Sequence, residues 1–245
     1  MGEYDETTYG ERIADVYDTL TDVPTDTDEA VGLLANLAGA GRCLDIGIGT
    51  GRLALPLQAR GVKIEGIDAS PAMVEKLRSK SGGRDIPVTI GNFADLAIEG
   101  RFSLIFVAFN TFFALLTQED QLRCFANVAA HLEPHAAFLI EAFVPDLSRF
   151  DRGQRVQATD VNLELVRIDA ARHDPVAQQI FGQHMVITET GTRFYPVKLR
   201  YCWPSELDLM ARLAGLTLEH RWGGWLRQPF SAASGKHVSV YRAPP

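Results

Sequence analysis

The chain is predicted to adopt an α/β fold, a mostly parallel sheet with helices on both faces, and three observations predict it. Short apolar, β-branched runs alternate with helical patterns through the first two thirds of its 245 residues. One strand runs straight into alternating glycines and a helix, at Leu44-Asp45-Ile46-Gly47-Ile48-Gly49-Thr50-Gly51. After Phe143 the alternation gives way to period-two stretches, which predict an antiparallel insertion behind the fifth strand.

Taken in order, a first amphipathic helix is expected over residues 9 to 20, because Tyr9, Ile13, Val16, Tyr17 and Leu20 share one face. A second runs from Asp28 to Leu37, with Thr27 or Asp28 as its N-cap. The first strand is Arg42 to Ile46, and the helix after the glycines begins near Arg52, with Pro56 in its first turns where a missing N–H costs least. Val62 to Ile67 is the second strand. Ser70-Pro71 then reads as an N-cap followed by proline at the first helical position, and Ser81-Gly82-Gly83 ends that helix. Pro87 to Ile90 and Ser103 to Phe109 are further strands, Gln118 to His131 a helix, and Ala137 to Phe143 the fifth strand.

The insertion is read as strands at Val161 to Ile168, Gln178 to Ile187 and Tyr195 to Tyr201, with turns at Asp174-Pro175 and Thr190-Gly191. Pro204-Ser205 opens a last helix that stops at Gly215. Leu216 to Trp222 and His237 to Arg242 close a sheet of seven strands. The expected organisation is one domain over 1–245: a helical cap (1–40), a ligand-binding core (41–147), the insertion (148–200) and the closing helix and strands (201–245).

Composition limits the function classes. A 46% hydrophobic and 22% charged chain is an ordinary globular protein, and no apolar run is long enough to cross a bilayer. The first residues are acidic where a secretory signal would be basic and then apolar, so a cytoplasmic location is expected. Net charge is −7 with Lys and Arg scattered, which argues against nucleic acid and suits an uncharged or cationic small substrate. Cys43, Cys124 and Cys202 stand apart within apolar stretches and read as buried thiols. No His, Cys or carboxylate spacing suggests a metal site.

The glycine loop is the sharpest feature. Glycine lets the backbone turn tightly and lets a ligand lie on bare main chain in front of a helix N-terminus. Asp68 ends the second strand 68 − 49 = 19 residues beyond Gly49, where an acid binding both hydroxyls of a ribose stands. The glycines are spaced G-x-G-x-G, and Arg52 fills the place where a dinucleotide fold needs a small residue for close helix packing. No Gly-Lys-Ser/Thr follows, so this is not a P-loop. A nucleoside ligand without phosphates fits the spacing.

With the glycine loop, Asp68, the Gly91-Asn92-Phe93-Ala94-Asp95 segment and the order of elements, the chain resembles the class I S-adenosylmethionine-dependent methyltransferases from Tyr9 to Tyr241. Phe109-Asn110-Thr111-Phe112-Phe113, the insertion and the Trp203-Pro204-Ser205 helix start look most like small-molecule methyltransferases of actinobacterial secondary metabolism, the aminodeoxysugar N-methyltransferases in particular.

The resemblance implies a Rossmann-like fold, S-adenosylmethionine as cofactor, and methyl transfer to a nitrogen or oxygen of a small molecule. Gly47 and Gly49 would lie against the methionine part with Ile48 between them, and Asp45 would help place its amino group through the loop. Asp68 would accept both ribose hydroxyls. Ala69 and Met73 would flank the adenine, Asn92 and Phe93 would meet its edge and face, and Phe109 with Asn110 would stand beside the sulfonium. Many members have Asp where this chain has Asn92, whose amide oxygen can still accept, without charge assistance. Where many begin the fourth strand with Asp there is Ser103. Tyr17 and its neighbour Tyr9 resemble aromatics that close over the cofactor, although for Tyr9 the apolar face of the first helix explains the residue equally well.

Glu141, near the end of the fifth strand, is the best-placed candidate to take the acceptor's proton, and a carboxylate satisfied by backbone donors is the competing reading. His184, His220 and His237 are further candidates. Arg155, Arg167, Arg172 and Arg193 of the insertion are expected to wall the substrate or to make a homodimer contact, and Trp222, Trp225 and Phe230 to line the pocket or fill the core. Two other functions compete: an NAD(P)-dependent oxidoreductase, and a non-catalytic protein that binds S-adenosylmethionine.

Overall fold

The computed structural model describes residues 4–20 and 25–245; residues 1–3 and 21–24 of the expected cap, with the side chain of Leu20, lie outside the described residues. Two short helices, α1 (Thr8–Ile13) and α2 (Tyr17–Leu20), stand where a single helix was expected. The break follows from what each half must touch. Ile13 is buried with Val186 and Tyr195 of the insertion, whereas Asp18 reaches the glycine loop, and i→i+3 bonds from Val16 N to Ile13 O and from Thr19 N to Val16 O make the change of course.

The core then alternates: α3 (Thr27–Ala38), β1 (Arg42–Ile46), α4 (Ala54–Ala59), β2 (Lys63–Asp68), α5 (Pro71–Ser79), β3 (Val88–Ile90), β4 (Phe102–Val107), α6 (Gln118–His131) and β5 (Leu132–Phe143). Local chemistry sets several boundaries. Ser70 Oγ accepts from Met73 N at 3.2 Å with Pro71 at the first helical position, and Thr117 Oγ1 accepts from Asp120 N at 3.1 Å. Ser103, in place of the common Asp, donates to the carbonyls of Ala38 and Arg42 and so ties α3 to β1.

The insertion contains four strands, β6 (Gln154–Val161), β7 (Leu165–Asp174), β8 (Gln179–Thr188) and β9 (Gly191–Arg200), in that spatial order. The expected strand from Val161 to Ile168 in fact crosses a hairpin: Val161 ends β6, residues 162–164 make the turn and Leu165 opens β7. Asn162 Oδ1 accepts from the N–H groups of both Glu164 and Leu165, a side-chain turn that no apolar periodicity reports. Asp174 makes the same kind of turn with Val176 and Ala177. After α7 (Pro204–Leu213), β10 (Thr217–Trp222) and β11 (Lys236–Arg242) complete the main sheet.

That sheet has seven strands in the order β10-β11-β5-β4-β1-β2-β3. β11 is antiparallel to both β5 and β10, so it alone runs against the others. Apolar layers cover both faces. One holds Phe112, Phe125, Phe138 and Tyr241, with Phe125 edge-on to the other three, beneath α6 and α7. The other holds Leu34, Leu57, Leu77 and Phe106 beneath α3, α4 and α5. The three thiols are buried as expected, and burial pushes those of Cys124 and Cys202 up to about 12. Among the described residues no helix is long and apolar enough to cross a membrane.

Candidate active site

Beyond the C-terminal ends of β1, β2 and β4, where a parallel sheet opens to ligands, lies a cavity of about 460 Å³. Its floor is the glycine loop. Gly47 and Gly49 have φ of 72° and 54°, and a Cβ on Gly47 would stand 2.3 Å from Thr111 Cγ2. Only glycine lets this loop turn and approach β4 so closely. The N–H groups of Gly47 and Ile48 both reach Ile67 O, which fixes the loop to the end of β2.

Asp68 stands directly above. Its Oδ2 accepts from Gly49 N at 2.7 Å and its Oδ1 from Ser70 N at 2.9 Å, and the carboxylate lines the cavity. Burial raises its pKa, opposed by the backbone donors of Ser70 and Gly49.

The structure gathers nearly all the expected residues. Tyr17, Gly47, Gly49, Asp68, Ala69, Met73, Asn92, Phe93, Phe109 and Asn110 line the cavity, while Asp45 and Ile48 line a recess of about 40 Å³ that shares Tyr17, Gly47, Gly49 and Phe109 with it. Burial drives the Asp45 carboxyl well above its ordinary range, and Arg52, which lines the same recess, opposes that shift. Asn92 Oδ1 already accepts from Ala94 N at 2.8 Å, so one lone pair is left for a ligand.

Glu141 corrects the sequence reading. It lines neither space. It is buried, with Oε2 accepting from Phe109 N at 2.9 Å and Oε1 accepting from Trp225 Nε1 at 3.0 Å and Lys236 Nζ at 2.9 Å. A carboxylate held by these donors positions the turn after β4. Phe109 and Asn110 both have left-handed φ, 53° and 67°, and Asn110 Oδ1 accepts from Phe143 N at 2.7 Å. Trp222, Trp225 and Phe230 also lie off the cavity: Trp222 stacks on His220, Trp225 serves Glu141, and Phe230 lies beneath Arg221. His237 is a core histidine, bonded to Ser239 Oγ, and burial holds its pKa down to about 3.

Three contributors escaped sequence reasoning. Arg52, which the spacing argument treated only as bulk, donates to Thr27 Oγ1 and lies 5.5 Å from the centroid of the Phe109 ring; its place directly after the glycines was the available signal. Thr111 lines both spaces. From the insertion, Val197, Lys198 and Leu199 of β9 complete the wall.

The N-terminal cap closes over this site by polar latches. Asp18 accepts from Thr50 Oγ1 at 2.7 Å and pairs with Lys80 at 2.7 Å; burial pulls its pKa up, but these partners outweigh it and leave the carboxyl below its ordinary range. Glu11 accepts from Ser70 Oγ and Ala72 N. Tyr4 and Tyr9 line the cavity from this cap.

Residues 43–135 match the family of methyltransferase domains. The chain is similar to the solved CcbJ methyltransferase from Streptomyces caelestis, with 41% identity, a TM-score of 0.93, and coverage of 99% of this chain and 100% of that one. It is 26% identical to the cypemycin N-terminal methyltransferase of a Streptomyces species, over 96% of this chain and 98% of that protein. The fold is also shared with S-adenosylmethionine-bound CalS10, an amino pentose methyltransferase from Micromonospora echinaspora, at a TM-score of 0.70 and 20% identity over 99% and 98% of the two chains. These likenesses set aside the nicotinamide-dependent alternative: the chain belongs to the class I S-adenosylmethionine-dependent methyltransferases.

Proposed function

We propose that this methyltransferase methylates a nitrogen of a small amine-bearing molecule of secondary metabolism, an aminodeoxysugar being the leading class, with hydroxyl oxygens as the second acceptor type. The observation that carries the reading is one continuous cavity that runs from Gly49 and Asp68 to Val197 and Leu199 of the insertion. A cofactor end and an acceptor end thus share one roof. The cypemycin relative, whose name specifies an N-terminal methyl acceptor, supports nitrogen.

The site fits the cofactor. The glycine loop is a cradle that a Cβ would fill, and the Asp68 carboxylate, which lines the cavity, suits two vicinal hydroxyls. Asp68 would hold the ribose, Ala69, Met73, Asn92 and Phe93 the adenine, and Gly47, Ile48 and Gly49 with Asp45 the methionine end, where Arg52 offers a cation for its carboxylate. When bound, S-adenosylmethionine supplies an activated methyl group. The protein's part is to align the acceptor with it and to exclude water under Tyr9 and Tyr17; alignment alone is worth about 7 to 11 kcal/mol in favourable cases.

The test is titration calorimetry with S-adenosylmethionine, S-adenosylhomocysteine and NADH, followed by transfer of isotopically labelled methyl groups to a panel of aminosugars and phenols. Binding of the first two and labelling of an amine is the expected result. Binding without labelling of any panel member would reduce the protein to a cofactor-binding one for these acceptors, and labelling of phenols alone would move the acceptor atom to oxygen.

A further inference from the structure

Beyond the residues assigned to the cofactor, the cavity is walled by Leu115 and Leu116 before α6, by Val197 and Leu199 of β9, and by the first residues of the cap. An apolar chamber of this kind fixes the orientation of a ligand through its few polar groups. Of the carboxylates along this part, Asp5 is engaged with Thr7 and Thr8, and Asp120 with Thr117 and Arg123. Glu6 is exposed. The polar groups left to meet a ligand come from the open edge of the antiparallel sheet.

β9 is the last strand of that sheet. Successive residues of an antiparallel strand turn their N–H and C=O groups alternately toward and away from the neighbouring strand. Tyr201 N donates to Gln178 O at 3.0 Å, one pair beyond Gln179 and Arg200, so Tyr201, Leu199 and Val197 face β8 while Arg200, Lys198 and Pro196 face away from it. The outward groups fit this alternation. Arg200 O accepts from Gln121 Nε2 at 2.9 Å, Pro196 has no N–H to leave unpaired there, and Lys198 N donates to Tyr4 Oη at 3.1 Å. Tyr4 and Lys198 both line the cavity. Burial raises the Tyr4 pKa, so the phenol keeps its proton. Among the described residues nothing accepts that hydrogen, and nothing donates to Lys198 O, which opens to the same side as its N–H.

Resting on the proposed methyl transfer to a small amine-bearing molecule, we propose that the Tyr4 hydroxyl and the Lys198 carbonyl hold the acceptor by a hydroxyl group distinct from the nitrogen that is methylated. A free donor beside a free acceptor is matched by a hydroxyl, which accepts from Tyr4 Oη and donates to Lys198 O. An ammonium would satisfy the carbonyl and leave the phenol's hydrogen without an acceptor. An anionic oxygen would satisfy the phenol, give the carbonyl nothing, and stand near Asp5 and Glu6, which follow Tyr4 along the cavity wall. An apolar substituent would leave both groups unpaired. The acceptor class thereby narrows from amines to amino alcohols.

The experiment compares wild type with Y4F on the panel aminosugar of highest turnover and on each of its monodeoxy analogues. It reads kcat and KM for the acceptor, and S-adenosylhomocysteine affinity by calorimetry. Wild type should prefer the parent over one monodeoxy analogue by about 10-fold or more in kcat/KM, because deoxygenation leaves both groups unpaired. Y4F should raise KM for the parent about 3- to 10-fold and leave KM for that analogue unchanged, so that the preference shrinks by the same factor while S-adenosylhomocysteine affinity stays as in wild type. A preference that survives in full in Y4F, or a wild type indifferent to every deoxygenation, would overturn the subsite and leave the methyl-transfer reading intact. A KM that rises alike for the parent and all analogues would overturn it as well, because Tyr4 would then only fasten the cap to β9. A wild type that binds S-adenosylhomocysteine yet labels no amine would overturn the proposed acceptor reading, and the subsite with it.

Discussion

The part of this cavity proposed to hold the cofactor and the part proposed to meet the acceptor are built from different materials. The glycine loop, Asp68 and the Phe109 turn sit at the ends of β1, β2 and β4, whose inner residues are buried on both faces of the sheet. The insertion that supplies Val197 to Leu199 is half-exposed along most of its length, and Val156, Leu163, Val176 and Phe194 stand open on it. The proposed cofactor site thus rests on fully packed parts, and the wall proposed to face the acceptor is the more exposed one.

That contrast can be broken first at Asp68. Asp68→Ala should weaken S-adenosylhomocysteine binding by about 1.5 to 3 kcal/mol for each charge-assisted bond lost, roughly 10²- to 10⁴-fold for two ribose hydroxyls, measured by calorimetry. Unchanged affinity would remove the ribose from this position.

Next is Glu141→Ala, which strips partners from Phe109 N, Trp225 Nε1 and Lys236 Nζ. It should cost about 3 kcal/mol of stability, a fall in Tm of roughly 6 to 12 °C for a chain of this size. Calorimetric melting decides: an unshifted Tm would mean that these donors find water.

A subtler core effect concerns His237. The unfolded chain takes up its proton near 6.5 and the folded chain only near 3, so the unfolded state binds more protons between those values. Stability should therefore be lost as the pH drops from 6.5 toward 3, by about 1.4 kcal/mol per unit from this group. Denaturant melts of His237→Gln between pH 7 and 5 should show a shallower slope than wild type.

The smallest effect belongs to the insertion's surface. Leu163→Ser and Val176→Ser, at fully and almost fully exposed positions, should change urea-unfolding free energy by no more than about 0.5 kcal/mol. A larger loss would show that the two halves differ less than their burial indicates.

The same contrast explains what could be read from the chain alone. The glycine loop, its register with Asp68 and the Ser70-Pro71 helix start depend on backbone demands that particular residue types announce, and the structure places them as expected. The insertion was misread at its first hairpin, because that turn is made by the Asn162 side chain and period-two stretches ran together through it, whereas the turn expected at Asp174-Pro175 stands where it was read. Glu141 and Arg52 were misjudged for another reason. Their partners, Trp225 and Lys236 for one and Thr27 for the other, are remote in sequence, and only the fold brings them together.

The cap over the site is fastened by two kinds of contact that answer to solution conditions in opposite ways. At α2 and α5 it is held by Asp18 with Lys80 and Asp15 with Lys76, partly exposed ion pairs that dissolved salt screens. At the insertion it is held by Ile13 against Val186 and Tyr195, an apolar contact that kosmotropic salts reinforce. Raising the ionic strength should therefore weaken the ion-paired fastening beside the glycine loop more than the apolar fastening on the antiparallel sheet.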